Sequence, residues 1–258
     1  MKNILSTCIV ISRKYNLNSC TLVRVAMAIM VVMAMVGCST EPKSGAPKTE
    51  IKPVPKVEVP VFSADSAYGF IQKQVDFGPR VISSESWRKC SRYPEKKLLS
   101  YNANVLVQKT QVTTYDNKKH ELNNIIASYL PNLNNRIALF AHWDSRHIAD
   151  HDTVNKEAPI LGANDGGSGV GVLIEMARQF SIKNPKIGVD IILFDAEDYG
   201  QPENSGFPVM QDSWCLGSQY WSNNPHKPNY FAQYGILLDM VGAKDATFRH
   251  EQISFYYA

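Results

Sequence analysis

Three short stretches carry acids where chemistry could use them. They are HWD (His142–Asp144), GANDGGSGVG (Gly162–Gly171) and FDAEDYG (Phe194–Gly200), and a fourth acid, Asp239, ends the run ILLD. Glu197 and Asp198 are adjacent, and neighbouring side chains on extended backbone point different ways. One can bind a metal ion while the other faces a substrate, the division of labour that metal-assisted attack on a carbonyl requires. Two solvated acids at a strand end are the plainer alternative. His142 and Asp144 share one face if a strand runs through them. That suits two ligands, or one ligand with its orienting carboxylate, and equally a structural histidine. Asp239 follows three apolar residues, where a carboxylate needs a partner or a metal.

The glycines of GANDGGSGVG first suggest a phosphate cradle. A P-loop would end in Gly-Lys-Ser/Thr, and this stretch has no lysine. A dinucleotide fingerprint would need GxGxxG directly after a strand, whereas the spacing here is GxGxG and the nearest upstream strand is distant. Asp165 would also set a carboxylate where an anion must sit. Two readings of Asp165 remain. It is a metal ligand at the mouth of the loop, favoured as an anion by helix N-terminal amides, or it simply caps the helix that follows.

These acids need strands and helices to bring them together, and the patterning supplies candidates. A helix is expected from Ser63 to Gly78-Pro79, with Tyr68, Ile71 and Val75 in helical spacing, and a second around Glu95 to Tyr101. Residues 105–115 and 122–130 read as strands with a turn at Asp116-Asn117. Residues 136–143, 189–198 and 234–243 read as continuous apolar strands, and VLIEMARQF as a helix after the glycine-rich loop. Strands apolar on both faces and separated by helices indicate an α/β domain with a largely parallel sheet covered by helices. In such sheets ligands gather at the carboxyl ends of the strands, where Asp144, the Asp195/Glu197/Asp198 group and Asp239 fall. His147, His151, His226 and His250 sit in polar, loop-like context and read as surface histidines.

The 258 residues, 44% of them hydrophobic, suffice for one sizeable domain. Twenty-seven basic and 24 acidic residues give a net charge of +3, and no basic run interleaves with aromatics, so nucleic acid is not an expected partner. Residues 1–37 read as a leader: Lys2, Arg13, Lys14 and Arg24 precede an apolar run, Val25 to Val36, too short to span a bilayer well. Residues 38–62 are rich in proline and charge and read as an extended tether, so that the domain proper is expected over 63–258. Only Cys90 and Cys215 lie in that domain, and sequence alone leaves a bridge between them open.

MVGC, at Met35–Cys38, resembles the lipobox of bacterial lipoproteins, with Met35 where leucine is usual. The resemblance implies lipidation of Cys38 and a cell-envelope location, facing the periplasm from the outer or inner membrane. Within the domain FGPR (Phe77–Arg80), HWDSR, GANDGGSGVG, FDAEDYG, WCLGSQYW and ILLDMVGA, in this order, resemble the glutaminyl cyclases (glutaminyl-peptide cyclotransferases) of bacterial lipoprotein type. Their wider relatives are the zinc aminopeptidases of the same fold, and the resemblance runs from about Ser63 to the end.

What the resemblance implies is specific. The fold would be a zinc exopeptidase-like three-layer sandwich, with a mixed, mainly parallel sheet flanked by helices. One zinc ion would be held by Asp165, Asp198 and a histidine late in the chain. Glu197 would be the general acid/base and Asp239 the second catalytic carboxylate. His142 and Asp144 would orient ligands or bind a second metal. The substrates would be peptides or proteins with N-terminal glutamine, cyclised to pyroglutamate with release of ammonia. No histidine beyond His250 is present, so the family pattern sets the zinc histidine past residue 258 and marks the chain as C-terminally truncated, its activity in that form an open matter. Two other readings compete: a zinc aminopeptidase with two ions, or a non-catalytic peptide-binding lipoprotein.

Overall fold

The computed structural model describes residues 58–248. The leader, Cys38, most of the tether and His250 lie outside the described residues. Two helices open the domain. Helix α1 (Ala64–Val75) is capped by Ser63, whose Oγ accepts from the amide of Ser66 at 3.2 Å. Helix α2 (Glu85–Ser100) is capped by Ser84, whose Oγ accepts from the amide of Trp87 at 3.1 Å. It therefore starts about ten residues earlier than the sequence suggests. Pro94 inside it conceals the helical signal, yet Trp87, Cys90, Pro94 and Leu98 form one buried stripe at helical spacing.

The sheet follows. Strands β1 (Asn104–Thr113) and β2 (Lys119–Tyr129) form an antiparallel hairpin. Strand β3 (Arg136–His142), helix α3 (Gly167–Ile182) and strand β4 (Gly188–Phe194) form a parallel crossover. Helix α4 (Leu216–Asn223) precedes the short strand β5 (Gly235–Leu237). The order is β1-β2-β4-β3-β5, with β3, β4 and β5 parallel and β2 antiparallel to β4. The sheet is thus mixed, and its parallel half is the half that carries the acids.

Alternation along the central strands builds two apolar layers. Ile125, Leu139, Ile191 and Leu193 face one side, packed with Phe70 of α1, Trp87 of α2 and Leu173 of α3. Ile126, Ile192 and Phe194 face the other, with Phe140 and with Trp221 of α4. All seven residues of β4 are buried, as expected of a strand covered on both faces. Strand β5 differs from its expected form. It spans three residues instead of 234–243, and all three are exposed. Its apolar side chains have no covering layer among the described residues, so hydrophobicity alone misjudged both its length and its burial.

At the amino end of the strands, away from the acids, Arg136 and Asp190 form a buried two-point ion pair at 2.6 and 2.7 Å. Ser128 and Tyr230 donate to the same carboxylate at 2.6 and 2.8 Å. Burial pushes the Asp190 carboxyl up, but Arg136, Ser128 and Tyr230 more than reverse this and hold it below the usual carboxylate range. A folded-state pKa below the unfolded value adds stability that is present above the unfolded value and lost as pH falls through the folded one. Asp190→Asn should therefore cost about 3 kcal/mol at neutral pH by stranding Arg136. It should also flatten the loss of stability below about pH 4, measured by urea unfolding across pH. An unchanged acid limb would show that Asp190 does not carry this dependence.

Candidate metal centre

The carboxyl ends of β3 and β4 bring the first candidates together. His142 is the last residue of β3, and its ladder continues one step further as the amide of Trp143 donates to Phe194 O at 3.0 Å. Beyond Phe194 the chain leaves the sheet, so Asp195 to Asp198 form a loop and not the end of a strand as expected. Ala196 turns this loop in the left-handed region, at φ 51°. Backbone bonds from the start of α4 back the loop: the amides of Cys215, Leu216 and Gly217 donate to the carbonyls of Glu197, Ala196 and Asp195, each at 3.0 Å. The WCLG segment is thus the support of the acidic loop.

The four acids of this region have separate fates. Asp195 is fully buried and faces away from the opening, with Trp87 Nε1 donating to it at 2.9 and 3.0 Å and the amide of Asn123 at 2.7 Å. Asp144, also fully buried, accepts from the amides of Glu197 at 3.1 Å and Asp198 at 3.0 Å, and its Oδ1 lies 3.4 Å from His142 Nδ1. It is a brace for both the imidazole and the acidic loop. Asp198 is buried beside His142, and Glu197 is partly open to solvent.

Asp165 arrives from the glycine-rich loop. It does not cap α3: Gly166 takes the N-cap position, at φ 74°, with no side-chain cap bond. A Cβ on Gly166 would stand 2.5 Å from Asp144 O and 3.0 Å from the His142 ring, so only glycine lets the loop close on β3. The result is a donor group. His142 Nε2 lies 2.9 Å from Asp165 Oδ1, and one ligand atom from each of His142, Asp165 and Asp198 falls within 4.8 Å of the others. Asp239 Oδ1 approaches His142 Nε2 at 3.5 Å, and Glu197 Oε2 approaches Nδ1 at 3.8 Å.

Two atoms of this group test its fit to a metal. His142 Nε2 is buried and makes no well-formed hydrogen bond, although Asp165 Oδ1 stands 2.9 Å from it. Asp198 Oδ2 is buried and equally without a partner. Buried polar atoms are otherwise almost always satisfied. One imidazole nitrogen and two carboxylates facing one point suit a borderline cation such as zinc. The expected imidazole thus has a candidate inside the described residues, His142, where the family pattern looked beyond Ala258.

The electrostatics agree with that geometry. Burial alone would lower the His142 pKa, but contacts with Asp144, Asp165 and Asp239 and the charge of Glu197 raise it well above the usual histidine value. Burial pushes Asp198 up to about 9, with His142 opposing and Asp144, Glu197 and Asp165 adding to the rise. Glu197 is raised too, by burial first, and Asp144 and Asp239 push the same way against His142. Asp165 is lowered: His142, Arg146 and Arg80 outweigh its burial. So many acids around one imidazole repel one another, and a divalent cation relieves that repulsion.

Arg80 of FGPR holds the arrangement, a role not visible in its sequence context. Fully buried, it donates through Nε to Trp143 O at 2.8 Å and through Nη1 and Nη2 to Leu161 O and Gly162 O, each at 2.6 Å. It therefore ties the segment of His142 to the loop of Asp165. Burial works against its charge, and Asp144, Asp198 and Asp165 are among the groups that work for it. Two expected surface histidines are also reassigned. His147 stacks on Tyr199 at 4.1 Å and meets the Tyr115 hydroxyl at 2.9 Å, and burial pulls its pKa down to about 4. His226 accepts from Trp221 Nε1 at 3.1 Å. Cys90 is a buried free thiol, so it forms no bridge with Cys215.

With this geometry in place, comparison with known proteins is decisive at the family level. Residues 124–254, which contain His142, Asp165, Glu197, Asp198 and Asp239, match peptidase family M28. The chain belongs to peptidase family M28. A Tannerella forsythia glutaminyl cyclase is similar at 52% identity and a TM-score of 0.74, over 77% of this chain and 69% of that one. A Zn-dependent exopeptidase from Parabacteroides distasonis ATCC 8503 is similar at 52% identity and a TM-score of 0.75, over 78% of this chain and 69% of that one. The uncharacterized protein YfbL of Escherichia coli (strain K12) is 29% identical over 162 residues, 63% of this chain. This M28 chain spans only 44% of that curated relative's length. The family and its zinc-dependent members agree with the donor chemistry of His142, Asp165 and Asp198.

Proposed function

We propose that this chain is a zinc-dependent glutaminyl-peptide cyclotransferase that converts N-terminal glutamine to pyroglutamate. The observation that carries the reading is the position of Glu197. It stands beside the donor group and not within it, partly open to solvent, with its amide held by Asp144 and its pKa raised, by burial first. His142, Asp165 and Asp198 would hold the ion, which when bound supplies Lewis acidity to a carbonyl oxygen. Glu197 takes a proton from the α-amine as its nitrogen forms a bond to the γ-carbonyl carbon. The bond from that carbon to the side-chain amide nitrogen then breaks, and Glu197 returns the proton to the departing ammonia. Asp239, half exposed beside the imidazole, assists this transfer. The ring-closing amine belongs to the substrate, so no water need be activated.

The family favours a second reading, a zinc aminopeptidase. Asp239 lies within 3.5 Å of His142 and offers a further carboxylate for a second ion. The test is to load the chain with zinc, count the ions bound, and assay ammonia release from Gln-peptides beside release of free amino acids. One ion with ammonia release supports the cyclase, and two ions with amino-acid release support the peptidase. Neither product, with peptide still bound, would leave a binding protein. Lipidation of Cys38 and residence in the cell envelope belong to the same proposal. Metabolic labelling with a fatty-acid analogue should mark the wild type and not Cys38→Ala.

A further inference from the structure

The loop that carries Asp165 also grips the segment that carries Asp239. The ladder between β3 and β5 makes its last bond when the amide of Leu238 donates to Phe140 O at 2.8 Å. Asp239 lies just past that point, where the sheet no longer holds the chain, and Met240 turns in the left-handed region at φ 50°. The next two residues are caught by side chains of the glycine-rich loop. Ser168 Oγ accepts from the amide of Val241 at 2.9 Å while donating to Asn164 O at 2.5 Å. Asn164 Oδ1 accepts from the amide of Gly242 at 2.8 Å. Contact is close enough that a Cβ on Gly169 would stand 2.2 Å from Leu238 O.

From these contacts we infer that Asn164 and Ser168 are positioning residues for Asp239. The residues on either side of the metal-facing Asp165 set the second carboxylate of the site. One short run, NDGGS, thereby fixes Asp165 and Asp239 relative to each other. Ser168 is buried at the first turn of α3, so its hydroxyl is tied to a rigid element. Without the two acceptors, residues 238–242 would be held at one end by a three-residue strand with an exposed face. The inference rests on the reading of Asp239 as the assisting carboxylate in the proposed reaction.

The test uses the full chain loaded with zinc and the variants Ser168→Ala, Asn164→Leu and Asn164→Asp. Backbone hydrogen exchange at Val241 and Gly242 should be faster in Ser168→Ala and Asn164→Leu than in the wild type. Asn164→Asp, which keeps an acceptor oxygen, should restore protection at Gly242. For Gln-peptides, kcat should fall by about 100-fold in the first two variants, with KM and the zinc dissociation constant each within about threefold of wild type. Unchanged exchange in both variants would overturn the inference. So would a loss of zinc affinity as large as the loss in kcat, which would assign the two side chains to Asp165. If the wild type releases no ammonia, the cyclase reading fails by itself, and the exchange and zinc measurements still decide the positioning role.

Discussion

Glu197→Gln should reduce ammonia release from Gln-peptides by at least about 1,000-fold while leaving the zinc content unchanged. General acid–base catalysis by a positioned side chain contributes roughly 100- to 10,000-fold, and Glu197 handles the proton in both halves of the proposed reaction. The substitution keeps the shape of the side chain and removes its ability to exchange a proton together with its negative charge, 3.8 Å from His142 Nδ1. The backbone bonds that hold the acidic loop are untouched. The amide of residue 197 still donates to Asp144, and its carbonyl still accepts from the amide of Cys215. The donor group of His142, Asp165 and Asp198 is intact. The measurement pairs kcat with zinc determined on the same preparation. Turnover within tenfold of wild type would remove Glu197 from its proposed role.

His142→Ala should weaken zinc binding by at least about 100-fold. It removes the one imidazole of the donor group and leaves two carboxylates, a set poorly matched to a borderline cation. The result also decides between two sources of the nitrogen ligand. His142 lies in the described residues with an unsatisfied buried Nε2, whereas the family pattern looks for a later histidine. Competition with a chelator gives the dissociation constant, and unfolding of the metal-free variant separates ligand loss from damage to the fold. Undiminished affinity would move the nitrogen ligand away from His142. Asp165→Ala should lose metal in the same assay, because it too belongs to the group.

Several of these residues were legible before any coordinates. Asp165, Glu197, Asp198 and Asp239 stand out because acids that follow apolar strands or interrupt a glycine run are unusual in ways that chemistry explains. The central strands were legible for the same reason, since β4 is apolar at every position but Asp190 and is buried throughout. The start of α2 was not, because Pro94 interrupts a pattern whose apolar stripe is otherwise regular. His147 and His226 were misjudged because their partners, Tyr199 and Trp221, come from elsewhere in the fold. Local polarity around a histidine says little about aromatic rings supplied by another segment.

The sequence by itself determined which side chains can do chemistry and that parallel strands would deliver them to one edge. Residue type and short-range periodicity suffice for that, because each follows from the backbone geometry of a few neighbouring positions. Only the tertiary structure decided where each acid stands relative to the others. Asp144 and Asp195 turn inward to amides and to Trp87, Asp165 and Asp198 meet at His142, and Glu197 is left beside them. Arg80, Asn164 and Ser168 owe their roles to carbonyls and amides far along the chain. Such contacts form only when strand order and loop path bring distant segments within about 3 Å, and no local pattern in the sequence encodes that distance.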